Sequence, residues 1–107
     1  MMFGRNAVAV FLSCGIALAQ SGGQSIDGKA LFEKKCAACH ATETSERRIG
    51  PSLKDVKKGK LPDAIGKEAT HDNVLKQIDN GGNGMPVFRD LLSGPEKEAI
   101  VRYVLTL

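Results

Sequence analysis

Two cysteines and a histidine carry the clearest chemical information in this 107-residue sequence. Cys36 and Cys39 are separated by two alanines, and His40 follows at once, which gives the pattern C-x-x-C-H. Two thiols about one helical turn apart can add to the two vinyl groups of one haem, and the adjacent imidazole can bind its iron. The pattern therefore predicts covalent attachment of a haem, with His40 as the first axial ligand.

Paired cysteines also occur in zinc sites, in thioredoxin-like redox pairs and in structural disulfides. A zinc site needs four ligands, and the chain after residue 19 offers Cys36, Cys39, His40 and the distant His71. A thioredoxin-like pair would be flanked by alternating strands and helices, and the sequence has no convincing strand pattern. A structural disulfide, or two unrelated cysteines, is the alternative that the motif alone leaves open.

Residues 1–19 have the pattern of a secretory signal peptide. Arg5 gives a short positive region, an apolar run follows over residues 7–18, and Ala17-Leu18-Ala19 matches an A-x-A cleavage site. The apolar run is shorter than the roughly 20 residues that span a membrane. We therefore expect the leader to be cleaved after Ala19 and the protein to be exported.

This leader predicts how the chain is divided and where the protein works. Cleavage leaves a flexible Gly/Ser/Gln-rich lead-in, residues 20–26, and one domain, residues 27–107. Haem c is attached outside the cytoplasm, so we expect a periplasmic protein with no transmembrane segment in the mature chain. Two alternatives are a retained, membrane-anchoring leader and a lipoprotein acylated at Cys14. The second fits poorly, because Leu12 and Ser13 are not the usual small pair before an acylated cysteine.

The composition predicts a small domain with a thin core. The sequence has no Trp, one Tyr and four Phe, and Phe3 and Phe11 lie in the leader. A domain of this size buries little of its unfolded surface and usually needs an additional stabilising group. We therefore expect the haem to form the apolar centre of the fold and the haem-free chain to be poorly folded.

Two helices are predicted in the first part of the domain from their caps and apolar spacing. Asp27 can cap a helix over residues 28–37, which leads into the cysteine motif. Thr70 opens a second helix over residues 71–80, and Gly81 ends it.

A third helix closes the domain. Ser93 and Glu96 have the spacing of a capping box, which predicts a helix over residues 95–106. Residues 41–69 are interrupted by glycines and prolines and are expected to form loops, with a short helical turn near residues 53–57. The predicted fold class is all-α.

Met85 and His71 are the two candidates for the second iron ligand. Met85 lies between Gly84 and Pro86 at the end of a glycine-rich run, where glycines allow close approach to a flat macrocycle and proline stiffens the chain. A methionine elsewhere is usually core filler, but a polar loop is a poor place for filler. We therefore favour Met85. His71, at the start of a helix where an exposed histidine is ordinary, stays the alternative.

Taken together, these motifs resemble the class I cytochromes c, in particular the short bacterial monohaem carriers. The resemblance covers essentially the whole domain after the leader and rests on three matches in order: Cys36–His40, Gly50–Leu53 and Gly84–Pro86. It implies the cytochrome c fold, with three main helices and loops wrapped around one haem c attached through two thioethers. A weaker match implies that the first and last helices cross closely, with Gly28, Phe32 and Tyr103 at the contact.

The same resemblance implies the ligands and the function. His40 and Met85 would bind the iron, and the carbonyl of Pro51 would accept a hydrogen bond from the other ring nitrogen of His40. Iron with both axial positions filled has no site for substrate. The resemblance therefore implies a soluble one-electron carrier, not an enzyme, between respiratory or dehydrogenase donors and a terminal oxidase or reductase. The alternatives are a haem subunit of a periplasmic redox enzyme complex and a gas sensor.

A basic stretch is the candidate docking surface for redox partners. The formal net charge of +3 is small and argues against nucleic acid as a partner. We expect a monomer whose lysines steer acidic redox partner proteins toward the haem. The alternative is that these lysines only form a solvated surface and bind no partner. Residues 54–67 hold these lysines, with Asp55 and Asp63 between them: Lys54, Lys57, Lys58, Lys60 and Lys67.

Overall fold

The computed structural model describes residues 25–62 and 67–107. Three α-helices follow in order, α1 (Gly28–Lys35), α2 (His71–Asn80) and α3 (Gly94–Val104), with a short 3₁₀ turn at Val56–Lys58 between the first two. In this part of the chain, β pairing is limited to three isolated bridges. The predicted all-α class is confirmed. The predicted leader and most of the lead-in lie outside the described residues.

Side-chain caps begin each helix where the sequence predicts. The carboxylate of Asp27 accepts a hydrogen bond from the backbone three residues on at 3.1 Å, and the hydroxyl of Thr70 does the same at 3.2 Å. Ser93 and Glu96 form a complete capping box, with hydrogen bonds of 3.3 and 2.8 Å. Each cap satisfies a backbone N–H that has no partner within its helix, which fixes the first turn.

Three helix boundaries differ from the expected positions. The first helix ends at Lys35 rather than at residue 37, because Cys36 leaves helical geometry with a φ of −124°. The last helix begins at Gly94 and ends at Val104, two residues before the predicted end. Its final residues tighten into a turn, in which the N–H of Thr106 donates to the carbonyl of Tyr103 at 2.9 Å.

The third helix packs against both other helices and carries the most buried part of the core. Its four buried side chains are at most 4% exposed: Ala99, Ile100, Val101 and Val104. Phe32 of α1 meets Tyr103 of α3 edge to face, with ring centroids 5.3 Å apart and an interplanar angle of 62°. Val74 and Ile78 complete the core from α2.

Gly28 allows the closest contact between α1 and α3. A Cβ atom at this position would overlap the carbonyl oxygen of Ala99 and would lie 3.3 Å from the Cβ of Tyr103. A small residue is therefore required where the two helices cross, as the resemblance implies.

We expect Gly28→Ala to lower the free energy of unfolding by about 1–3 kcal/mol, the usual cost of overpacking. Gly94→Ala is the matched control, because Gly94 is likewise the first residue of its helix and has no atom within 4 Å of its added Cβ. The control should be neutral or slightly stabilised. Denaturant unfolding of both variants beside the native protein measures the two effects, and equal stabilities of the two variants would contradict the crowding argument.

Candidate functional site

The end of α1 places both cysteines and His40 on the wall of one cavity. The backbone N–H of Cys36 donates to the carbonyl of Phe32 at 2.8 Å, and those of Cys39 and His40 donate to the carbonyl of Cys36 at 3.1 and 3.0 Å. The chain thus keeps turning after the last helical residue. This turning brings two free thiols and an imidazole to the same site.

The environment of Cys36 argues against a thioredoxin-like pair. Burial, and secondarily the neighbouring Cys39, raise the pKa of the Cys36 thiol to about 11. Redox-active cysteine pairs depend on a lowered pKa, which this site does not provide. Within residues 25–62 and 67–107, no three His, Cys, Asp or Glu side chains are grouped to hold a metal ion, so the zinc alternative gains no support.

A hydrogen bond to Pro51 fixes the imidazole of His40. Its Nδ1 lies 2.7 Å from the carbonyl oxygen of Pro51. Because a carbonyl can only accept, Nδ1 carries the proton, and Nε2 of the neutral ring keeps its lone pair for a metal. Gly50 lies against the ring, and a Cβ there would be 2.6 Å from Cε1. Any side chain at this position would displace the imidazole.

Met85 lies in a tight loop after α2. Gly82 and Met85 exchange two backbone hydrogen bonds of 3.0 Å each, which close a turn through Asn83 and Gly84. All residues from Gly81 to Gly84 have positive φ, a conformation that glycine adopts without steric cost. The glycine run therefore folds the chain back on itself and brings Met85 to the cavity wall.

Gln77 contacts this loop from α2. Its Nε2 donates to the carbonyl of Gly81 at 3.2 Å and lies 3.5 Å from the sulfur of Met85, within hydrogen-bonding distance for sulfur. Sequence analysis did not identify Gln77. The available signal is its position, because Gln77 follows the apolar residue Val74 by three positions and so lies on the same face of the helix.

The two cysteines, His40 and Met85 all line one large and mainly apolar cavity. Its volume is about 520 Å³. Two thiols can attach a haem through its vinyl groups, and an imidazole nitrogen and a thioether can bind its iron, so the residues present fit a haem. All three helices and the loops supply apolar side chains to its wall: Phe32, Leu53, Leu61, Val74, Ile78, Phe88, Ile100 and Val104.

A smaller polar cavity adjoins the large one. Its volume is about 300 Å³, and Ser45, Arg47, Ser52 and Lys54 lie along its wall. Arg47 lines both cavities. Guanidinium, ammonium and hydroxyl groups are suited to binding carboxylates. Sequence analysis did not predict this polar cavity.

His71 lies elsewhere on the surface. It is absent from the residues that line the large cavity. Its Nε2 lies 2.6 Å from a carboxylate oxygen of Glu98 on α3, and its Nδ1 lies 3.1 Å from one of Asp72. These hydrogen bonds, that of Glu98 foremost, raise the pKa of His71. The structure therefore brings Met85, and not His71, to the wall that holds His40.

Known proteins similar to this chain identify its class. Residues 24–104 match the sequence model of the family described as "Cytochrome C oxidase, cbb3-type, subunit III". The chain is 34% identical over 101 residues to cytochrome c-551 of Stutzerimonas stutzeri, covering 90% of this chain and 91% of that one. It is 33% identical over 98 residues to cytochrome c6 of Rippkaea orientalis, covering 92% and 84%. The solved structure of cytochrome c6 from the diatom Phaeodactylum tricornutum is similar, with a TM-score of 0.59 and 30% identity over 78% of this chain and 93% of that chain.

The chain therefore belongs to the cytochrome c family, as one of its small monohaem class I c-type members. This confirms the resemblance and the cytochrome c fold. Because the family is defined by covalently bound haem c, haem c with its iron is the cofactor of this chain. Cys36 and Cys39 fit the attachment motif for this cofactor. The chain is an electron carrier with redox partners, and not an enzyme. None of the helices described above is long and apolar enough to cross a membrane.

The contacts of His71 predict a pH dependence of stability. Because Glu98 and Asp72 raise the pKa of His71 in the folded state, folding is favoured by protonation. This contribution is fully present below the unfolded pKa of about 6.5 and is lost as the pH rises through the higher folded value. We expect His71→Asn to lower the free energy of unfolding more in mildly acidic than in mildly alkaline buffer.

Denaturant unfolding of the haem-loaded protein on both sides of neutrality measures this effect. Glu98→Gln is the partner control and should show the same trend. A loss on His71→Asn that is equal at both pH values would show that the pair contributes no proton-linked stability.

Proposed function

We propose that this chain carries single electrons on one haem c, bound through thioethers to Cys36 and Cys39, with His40 and Met85 as the axial ligands of iron. The observation that carries the proposal is that all four side chains line one apolar cavity, although they come from opposite halves of the domain. When bound, the haem supplies an iron that alternates between ferrous and ferric states. The protein supplies its position and surroundings.

The residues around the two ligands support this assignment. Pro51 orients His40, so that Nε2 is the nitrogen available for iron. The thioether of Met85 is a soft ligand that favours the ferrous state and raises the reduction potential. The N–H of Gln77 directs a positive dipole end toward the same sulfur, which disfavours the extra charge of ferric iron. The apolar wall acts in the same direction.

The polar cavity supports a role for Arg47 and Lys54. We infer that their side chains bind the carboxylates of the haem, because they line the polar cavity and Arg47 also lines the apolar one. Ser45 and Ser52 add hydroxyl groups to the same wall. Charged carboxylates would then lie beside cations instead of in the apolar part of the site.

A second candidate function is that of a haem subunit in a periplasmic redox enzyme complex. The description of the matched family, which names an oxidase subunit, favours it. Such a role needs an open iron position or a catalytic partner chain. The loop closed by Gly82 and Met85 supports a filled position instead. Rapid binding of carbon monoxide to the reduced protein would favour the enzyme subunit, or a gas sensor, over the carrier.

We further propose that the carrier works as a periplasmic monomer. The pattern of residues 1–19 supports export with cleavage after Ala19, followed by the lead-in, residues 20–26, and the cytochrome domain, residues 27–107. Anchoring through an acylated Cys14 is the less well supported alternative, because Leu12 and Ser13 are not the usual small pair before such a cysteine.

Lysines beside the cavity form the docking surface that we propose for an acidic redox partner. Leu53 and Leu61 line the cavity, and the lysines flank them along the chain. Lys58 lies 3.6 Å from Asp55, which offsets part of its charge, so Lys57 and Lys60 are better positions to test. This basic patch consists of four exposed residues: Lys54, Lys57, Lys58 and Lys60.

The proposed ligation is tested first by the visible absorption spectrum of the ferric holoprotein. We expect the weak long-wavelength band from methionine sulfur to ferric iron, and its complete loss in Met85→Ala. His71→Ala is the matched control and should keep the band, because His71 does not line the cavity. Bound haem without the band in the native protein would refute ligation by Met85.

The basic patch is tested with small redox reagents of known charge. We expect oxidation of the ferrous protein by anionic hexacyanoferrate(III) to slow as ionic strength rises. Lys57→Glu with Lys60→Glu should lower the low-salt rate constant by roughly tenfold. The control is Lys29→Glu with Lys34→Glu, the same charge change at exposed positions on α1. Equal losses in the two double variants would mean that net charge, and not the patch, sets the rate.

A further inference from the structure

The loop that holds Met85 runs back along the end of α2. This Met85 loop comprises residues 81–92. The backbone N–H of Phe88 donates to the carbonyl of Ile78 at 3.0 Å. The guanidinium of Arg89 donates to the side-chain oxygen of Asn80 at 2.5 Å. With the contacts of Gln77, these bonds attach both the near and the far part of the loop to one helix.

Lys97 adds a contact from the third helix. Its Nζ lies 2.8 Å from a carboxylate oxygen of Asp79 and 3.2 Å from the carbonyl oxygen of Arg89. We refer to these two contacts as the Lys97 bridge. One ammonium group on α3 thereby joins the last turn of α2 to the far part of the Met85 loop.

The Lys97 bridge is better shielded from water than an ordinary surface ion pair. The side chains of Lys97 and Asp79 are 15% and 24% exposed, whereas those of Lys58 and Asp55 are 73% and 45% exposed. Exposed pairs contribute little because water and salt screen them, and partly buried pairs are screened much less. Removing one partner of a shielded pair also leaves the other charge uncompensated.

The geometry points to Lys97 as a positioning residue for Met85: by holding the carbonyl of Arg89 beside Asp79, it keeps the Met85 loop closed and slows departure of the sulfur from iron. Pro86 follows Met85 directly and restricts the backbone, so movement of Met85 away from the iron displaces the segment that ends at Arg89. This inference rests on the proposed function, because it requires Met85 as a ligand.

Lys97 acts at a distance from the cofactor. Lys97, Asp79 and Arg89 are not among the residues that line the large cavity. Replacing Lys97 therefore changes no residue of the cavity wall, while it removes the contacts of α3 with the carboxylate of Asp79 and with the backbone carbonyl of Arg89. Lys97→Met suits this test, because it keeps an aliphatic side chain of similar length and removes the ammonium.

The test is displacement of Met85 by imidazole in the ferric holoprotein. At saturating imidazole, the observed rate reaches a limit set by departure of the methionine sulfur, followed through loss of the long-wavelength band. We expect this limiting rate to rise about tenfold or more in Lys97→Met, the effect of losing a charge-assisted hydrogen bond. Asp79→Asn should raise it in the same direction, and Lys97→Arg should restore most of the native rate.

Lys76→Met is the matched control, because Lys76 is exposed on α2 and undergoes the same change of charge. It should leave the limiting rate unchanged. A Lys97→Met protein that unfolds more easily but exchanges its ligand as slowly as Lys76→Met would overturn the inference and leave the proposed function standing. A native protein without the methionine band would overturn the ligation by Met85, and with it this role of Lys97.

Discussion

The close contact between α1 and α3 is the constraint on which both sides of the site depend. Gly28 meets the carbonyl of Ala99 with no room for a side chain. Because α1 ends just before Cys36, its orientation against α3 determines where the thiols and His40 lie. α3 also packs on α2, and α2 leads directly into the Met85 loop. The two proposed ligands are therefore placed relative to each other through α3, which contacts the helix behind each of them.

The two sides of the cavity are held by different kinds of interaction. His40 is fixed by a hydrogen bond to Pro51, eleven residues away in the chain, and by the turn that follows α1. Thioether bonds at Cys36 and Cys39 would make this side covalent. Met85, in contrast, depends on glycine turn geometry and on noncovalent contacts with two helices. If the haem is held as proposed, we expect the methionine side to open first, because its contacts can break without the loss of a covalent bond.

Local signals in the sequence predicted the helices well. Asp27, Thr70 and the pair of Ser93 and Glu96 cap the helices as expected, because a cap depends on residues only three positions apart. The crossing at Gly28 was expected from a family resemblance, not from spacing. The contact of Gln77 with sulfur and the Lys97 bridge were not predicted, since the latter joins residues eighteen positions apart through a packing that periodicity does not specify.

The distribution of charge separates the tuning of the iron from the recognition of partners. No charged or polar side chain is buried within residues 25–62 and 67–107. A fully buried cation beside the iron would also raise the reduction potential, but its desolvation would cost several kcal/mol. The cations that line the cavity, Lys35 and Arg47, are exposed instead. In the proposed ligation, aliphatic side chains and the neutral amide of Gln77 would raise the potential without that cost, and the lysines of the proposed docking surface are exposed to solvent. Of the proposed docking lysines, only Lys54 also lines one of the two cavities. Changes at Lys57, Lys58 and Lys60 would therefore alter the affinity for a partner and leave the surroundings of Met85 unchanged.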